Sequence, residues 1–243
     1  IRNFNYRNNL IVSANLINEC ITYGTKIIFT SSMAVYGDQT PPFTEDKRPQ
    51  PIDPYGIAKY AVECDLKLAH EQFGLRYNIV RPHNVLGVYQ NIWDRYRNVI
   101  GIFIRKALNG QPILVYGDGE QTRAFSDIKY YMEPFDKLLT EHDGETFNIG
   151  ADKHFTLNEV AETVQTIAAK YGYHVNIEHG EPRHEVKHAF CDHTKAKTLL
   201  NFEDNTNLAD LIESVFVWAM KQPNRKVKDM EYEVTKDIYD YWK

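Results

Sequence analysis

The sequence predicts an α/β protein built around a parallel sheet, and three observations carry the prediction. Residues 8–82 run helix, strand, long loop, helix, strand, the repeating unit of parallel α/β sheets. The two helical stretches in that unit each close on a glycine, Gly24 and Gly74, as helix C-termini commonly do. The first strand candidate, "KIIFTSS" (26–32), is a short apolar, β-branched and aromatic run of the kind that is buried in a sheet.

The elements follow in order. Residues 8–24, "NNLIVSANLINECITYG", place Leu10, Ile11, Ala14, Leu16, Ile17 and Ile21 on a helical stripe. After the strand at 26–32, residues 37–54 form a Pro-rich loop, long enough to suggest a functional role. Residues 55–74 carry a second amphipathic helix, and "LRYNIVRP" (75–82) is a second strand halted at Pro82. Beyond it the pattern is mixed. A helix is expected over 98–109, and "PILVYGDGEQTRAF" (112–125) reads as a hairpin turning at Asp118-Gly119. A helix over about 129–140, a strand at 145–150 and helices at about 156–171, 193–200 and 207–221 complete the reading.

Composition narrows the function classes. The 243 residues are 43% hydrophobic and 25% charged, as in an ordinary soluble globular chain, with a net charge of −5. That balance offers no electrostatic reason to expect nucleic acid or an anionic membrane as partner. Three scattered cysteines, Cys20, Cys64 and Cys191, argue against a disulfide framework and fit a reducing, cytoplasmic setting. No apolar run approaches the ~18 residues of a membrane span.

Ligands of parallel α/β sheets sit beyond the carboxyl ends of the strands. Here those ends are "TSS" at 30–32 and "RPHN" at 81–84. The second helix opens with "DPYGIAK" (53–59), so Tyr55 and Lys59 share a helical face. A neighbouring ammonium favours the phenolate and can lower a tyrosine pKa by roughly 1–3 units, which suits Tyr55 to exchange a proton with a substrate hydroxyl. Alone, Tyr-x-x-x-Lys is most often a solvated helix pair. A strand ending in Ser31 and Ser32, then a Pro-rich loop, then that pair is far more specific.

With these residues in place the chain resembles the extended short-chain dehydrogenase/reductase family, in particular the NAD-dependent nucleotide-sugar epimerases and dehydratases. "FTSSMAVYGD", "DPYGIAK", "VRPHNVLG" and "GDGEQTRAFSDI" stand in the family's order and spacing. The resemblance implies a Rossmann-type, doubly wound parallel sheet with its N-terminal strands missing, and a smaller mixed α/β substrate-binding part. It divides the chain into 1–88 and 89–243, with about 124–150 returning to the first part. It implies NAD as cofactor and a nucleotide sugar as substrate. Ser32, Tyr55 and Lys59 resemble the catalytic set. Asn9, Ser31, Ser32, Tyr55, Lys59, Pro82 and His83 match cofactor-binding positions, and Asn84, Asn98, Arg123 and Arg183 match substrate-binding ones. Taken alone, each arginine reads as a surface ion pair. As family positions they suit phosphate, which the guanidinium fork holds bidentately. A homodimer paired through residues 8–23 and 56–73 is also implied.

Within the family, dehydratases carry an Asp-Glu pair and decarboxylases a Glu just before "VYG". This chain has Met33 and Ala34 there, which exchange no protons. That favours epimerisation, read as a 4-epimerase of a UDP-sugar, over elimination or decarboxylation; a nucleotide-sugar reductase or dehydratase of the same family is the alternative. A non-catalytic nucleotide-sugar-binding or partner-binding fragment is the reading from another class. "HEVKH" (184–188) matches the zinc-protease signature His-Glu-x-x-His. Pro182 lies just upstream and no helical periodicity surrounds it, so no metal is expected. The Gly-rich turn that meets a dinucleotide pyrophosphate is not among the thirteen glycines. The expectation is a partial chain that by itself binds NAD weakly, with an uncovered sheet edge and an exposed apolar face.

Overall fold

The computed structural model describes residues 1–94, 98–182, 186–226 and 232–236. The helix expected from residue 8 begins at residue 2. It runs without a break through α1 (Arg2–Asn5), a π-helical stretch (Tyr6–Ile11) and α2 (Val12–Tyr23), and closes at Gly24. Then come β1 (Ile27–Thr30), a 3₁₀ turn (Met33–Tyr36) and α3 (Pro54–Phe73). Asp53 caps α3 by accepting from the Gly56 N–H, and Pro54 occupies the first turn, where its missing N–H costs nothing. β2 (Tyr77–Pro82) follows, then β3 (Val85–Leu86) and α4 (Val99–Leu108).

The remaining elements are β4 (Ile113–Tyr116), β5 (Thr122–Ala124), β6 (Ser126–Asp127), α5 (Met132–Thr140), β7 (Thr146–Ile149), β8 (His154–Thr156) and α6 (Leu157–Lys170). After them stand β9 (Ile177–Gly180), β10 (His188–Ala189), α7 (Thr194–Leu200) and α8 (Leu208–Met220).

The principal sheet has the order β1-β2-β7, all parallel. Alternation along β2 sends neighbouring side chains to opposite faces. Ile79 packs with Ile17, Cys20, Val62 and Leu66 of α2 and α3. Val80 packs with Leu138, Phe147, Ala196 and Leu200 of α5, β7 and α7. Helices therefore cover both faces, the doubly wound arrangement. A second core joins β4 to α4, α6 and α8 through Ile104, Val115, Val164 and Phe216. Because β7 lies beside β2, we propose the division into 1–88 with the returning segment 124–150, and the rest of 89–243.

The hairpin expected at 112–125 does not form. A turn does stand at residues 117–121, but β4 pairs in parallel with β9, and β5 pairs with β8 and β10. The Asn158 amide donates to the Asp118 carbonyl from α6, which holds the turn outward while its two strands diverge into different sheets. The apolar stripe of 8–24 also divides. Ile17 and Cys20 face the core, whereas Ile11, Val12 and Leu16 are more than half exposed. β1 is an edge strand among the described residues. Cys20, Cys64 and Cys191 are free thiols. No helix among the described residues is long and apolar enough to cross a membrane.

Candidate functional site

Parallel pairing aligns the carboxyl ends of the strands. Thr30 stands opposite Val80, and Pro82 opposite Ile149, so Ser31-Ser32, His83-Asn84 and Gly150 follow on one rim of the sheet. The N-terminus of α3 is pressed onto this rim. A Cβ on Gly56 would lie 2.6 Å from the Ala34 carbonyl oxygen, so only glycine allows the helix this close to the 3₁₀ turn. Tyr55, the residue before it, is thereby held at the end of α3 that meets the 3₁₀ turn and keeps 37% of its surface open.

Lys59, one turn along, donates from Nζ to the Thr30 carbonyl at 2.8 Å. Its ammonium lies 4.8 Å from the Phe29 ring centre and 5.8 Å from that of Tyr55. Burial lowers the Lys59 pKa from its ordinary value. Ser32 Oγ accepts from the Ala34 N–H at 3.1 Å, capping the turn, and its side chain is half-buried rather than sealed off. Met33 and Ala34 place no titratable group on the turn.

Ser31 is placed differently. Its hydroxyl points inward and donates to Glu63 Oε1 at 2.5 Å, with the residue 3% exposed. Its side chain is committed to the interior, and its N–H donates to the Val80 carbonyl at 2.7 Å. Glu63 in turn pairs with Arg81 through Nε at 3.0 Å and Nη2 at 2.6 Å, a bidentate buried ion pair. Arg81 Nη1 donates to Tyr36 Oη at 2.7 Å, and Tyr36 donates to Asn148 Oδ1 at 2.8 Å. The network joins α3, β1, β2, β7 and the 3₁₀ turn beneath the rim. Burial opposes the Arg81 charge, yet Glu63 and Tyr36 outweigh it and hold its pKa above the ordinary value. None of Glu63, Arg81, Tyr36 or Asn148 was singled out by sequence reasoning. The available signal was two charges on apolar faces: Glu63 beside Val62 and Leu66, and Arg81 closing the run Tyr77–Val80.

His83 is buried as well, at 1% exposure. Its Nε2 lies 2.7 Å from Nε2 of His193, with the ring planes within 11° of parallel and the centroids 5.0 Å apart. His193 Nδ1 reaches Asp152 Oδ1 at 3.0 Å, and Asp152 Oδ2 accepts from Lys197 at 2.6 Å. His83 Nδ1 has no hydrogen-bond partner. Burial, aided by His193, pushes the His83 pKa down to about 3, against the upward pull of the Ala124 carbonyl and Asp152. Burial lowers His193 too, against the pull of Asp152. Both rings are therefore neutral near pH 7, while in the unfolded chain each takes a proton near its ordinary 6.5. Below that value the unfolded state binds more protons, so stability falls as the pH drops. The slope is about 1.4 kcal/mol per pH unit for each histidine kept neutral. Urea midpoints measured between pH 7 and pH 5 should decline, and less steeply in His193→Gln. Equal slopes would contradict this origin.

Asn84 follows with φ +41°, in the left-handed region. Its Nδ2 donates to the Ala124 carbonyl, and its carbonyl accepts from the Ser126 N–H. Pro82 ends β2, half-buried on the same rim. Asn98 is not a free side chain. It caps α4 through Oδ1 and donates from Nδ2 to the Val85 carbonyl at 3.2 Å. Arg123 on β5 donates to the carbonyls of Thr122 and Lys187. Arg183 lies outside the described residues. Asn9 sits in the π-helical stretch, a feature common at functional positions, with Nδ2 on the Asn5 carbonyl.

Of the histidine-rich segment, His184 and Glu185 also lie outside the described residues. His179 bonds the Gly117 carbonyl and His188 bonds Thr122, each in a different strand. No cluster of three or more metal-ligating side chains occurs among the described residues.

A family model described as the NAD dependent epimerase/dehydratase family matches residues 3–150. A UDP-N-acetyl-alpha-D-glucosaminuronate decarboxylase of Bacillus cytotoxicus is 32% identical over 221 residues, 86% of this chain and 68% of its own length. A putative UDP-glucose 4-epimerase of Methanocaldococcus jannaschii is also 32% identical, over 89% of this chain and 70% of its length. Among solved structures, a UDP-glucose 4-epimerase with UDP-glucose from Thermotoga maritima superimposes with a TM-score of 0.80 at 31% identity. It is matched over 88% of this chain and 69% of that one.

Proposed function

The chain belongs to the NAD-dependent epimerase/dehydratase family, and from that premise we propose that it is the catalytic and sugar-binding part of a UDP-sugar 4-epimerase. The observation that carries the reading is the rim itself. Tyr55 is open to a ligand, Lys59 is anchored beside it, and Ser32 stands on an adjoining turn that bears no carboxylate.

NAD, when bound, accepts and returns a hydride at the sugar carbon. The residues present fit it in part: the Lys59 ammonium uses one N–H on Thr30, leaving donors for a nicotinamide ribose. Tyr55 Oη takes the proton from the sugar 4-hydroxyl as the carbon is oxidised and gives it back after the keto sugar has turned. Lys59 favours the phenolate that Tyr55 must present before it takes the proton and that is restored once the proton is given back. Ser32 Oγ orients the reacting oxygen. Asn84 and Arg123 are assigned to the diphosphate, with Asn98 supporting that side from the start of α4; Arg183, outside the described residues, is assigned there by its place in the sequence alone. Asn9 and the turn at Pro82-His83 line the cofactor side.

The decarboxylase relative marks a second reading, which needs an acid for the further proton transfer. Met33 and Ala34 speak against it. Incubation of the complete enzyme with UDP-, dTDP- and GDP-sugars separates the two. The expected product is the 4-epimer of a UDP-sugar with unchanged mass; release of carbon dioxide or water, or net consumption of NADH, refutes the epimerase. A homodimer through the outer faces of α2 and α3 belongs to the same reading. The exposed Ile11 at the end of the π-helical stretch, Val12 and Leu16 on α2, and Ile57 and Leu68 on α3 support it.

A further inference from the structure

We propose that His193, with Asp152 behind it, is a positioning residue: the two form a proton-ordering strut that holds the turn Pro82-His83-Asn84 in the shape that UDP-sugar binding requires. The inference rests on the proposed function for its ligand, and on geometry for the strut.

An N···N contact of 2.7 Å between His83 and His193 needs one proton, and only one, between the two nitrogens. The far side of the pair decides which ring carries it. Asp152 is a carboxylate and only accepts, so the His193 nitrogen facing it, Nδ1, bears a hydrogen. Asp152 also receives Lys197, so its charge is already balanced and a second cation in the sealed His193 position gains little. His193 is then neutral with Nε2 bare. His83 must supply the proton from its own Nε2, which leaves His83 Nδ1 bare; that nitrogen makes no hydrogen bond, so the pull of the Ala124 carbonyl on the ring is outweighed by the 2.7 Å contact with His193. A surface carboxylate thus sets the proton arrangement of a ring buried at the end of β2.

The strut has a mechanical consequence. The His83 ring lies against Gly150, where any side chain would collide with it. The His83 carbonyl accepts from Ser126 Oγ, which also bonds Tyr131, and the Tyr131 hydroxyl donates to the Ile149 carbonyl. Backbone contacts fix one side of the turn and the ring pair fixes the other. Between them the next residue, Asn84, is kept at a positive φ that a non-glycine residue seldom adopts unaided. The titratable and charged groups around the pair are Asp152 and Lys197, with Asp192 also acting on His193.

Ring-nitrogen NMR on the 243-residue chain, combined with calorimetry using UDP-glucose as probe, tests the strut. Asp152 is exposed, so its variants spare the core. In the wild-type chain His83 should show a protonated Nε2 and a bare Nδ1, with His193 reversed. Asp152→Asn keeps an acceptor and should preserve both the pattern and the affinity. Asp152→Ala should mix the two arrangements and weaken UDP-glucose binding on the order of tenfold, as small displacements of positioning groups do. A protonated Nδ1 on His83 in the wild-type chain overturns the strut. So does an unchanged ring pattern in Asp152→Ala. Altered rings with unaltered affinity overturn its positioning role. Expected rings with no UDP-glucose binding by the wild-type chain would sink the UDP-sugar reading and the role assigned to the turn, while leaving the proton order established.

Discussion

Replacing Tyr55 by phenylalanine in the complete enzyme is expected to lower kcat by about 10²–10⁴-fold while leaving UDP-sugar affinity nearly unchanged. The substitution removes one oxygen from a side chain that is 37% exposed, on a helix whose first turn is capped by Asp53 and pressed onto the rim through Gly56. The ring, the Asp53 cap and the Gly56 contact are all retained, so the fold is expected to be spared. What is lost is the group that takes and returns the sugar proton. Loss of kcat without loss of binding marks an interaction made in the transition state. Steady-state kinetics alongside calorimetry with UDP-glucose makes the comparison. Turnover close to wild type would remove Tyr55 from the mechanism, and with it the proposal that this rim is the reaction centre.

The elements that position Tyr55 were legible because local chemistry determines them. Gly24 and Gly74 close their helices in left-handed backbone, Asp53-Pro54 opens α3, and Pro82 ends β2. The pair Tyr55 and Lys59 was legible for the same reason, since residues four apart on a helix share a face. Strand partnership was not. Residues 112–125 look like a hairpin, yet β4 and β5 find other partners because Asn158 of α6 and the segments after it claim the turn and the strand edges. Nor was side-chain direction at the rim. Ser31 and Ser32 are adjacent and chemically identical, but one caps a turn and the other bonds Glu63 in the interior. The partners that make this difference come from residues 32 and 50 positions further along the chain, where no local pattern reaches. His83 shows the same limit. Its position after β2 was legible, but the ring's burial against His193, 110 residues away, was not.

The ion pair beneath the rim carries the other large expectation. Glu63 is fully buried and Arg81 is 2% exposed, so removing one partner strands a charge. Arg81→Met is expected to destabilise the fold by about 3–5 kcal/mol, a large share of the roughly 5–15 kcal/mol typical of a folded domain. Glu63→Gln keeps the shape and some hydrogen bonds but leaves Arg81 without its counter-charge, so it should be comparably damaging. Glu63→Leu/Arg81→Met removes both charges and should cost clearly less than the sum of the single losses. Ser31→Ala deletes one hydrogen bond to a charged acceptor, worth about 1.5–3 kcal/mol. Urea unfolding of the four variants gives the order directly. If Arg81→Met and Ser31→Ala cost the same, the guanidinium is not what holds the network, and the strand end at Ser31 rests on hydrogen bonds alone. If the single-charge variants are the worst and the double variant recovers, electrostatic pairing in the core sets the position of the rim. The identity of Ser31 would then matter chiefly because it ties the strand end that carries Ser32 to that pair.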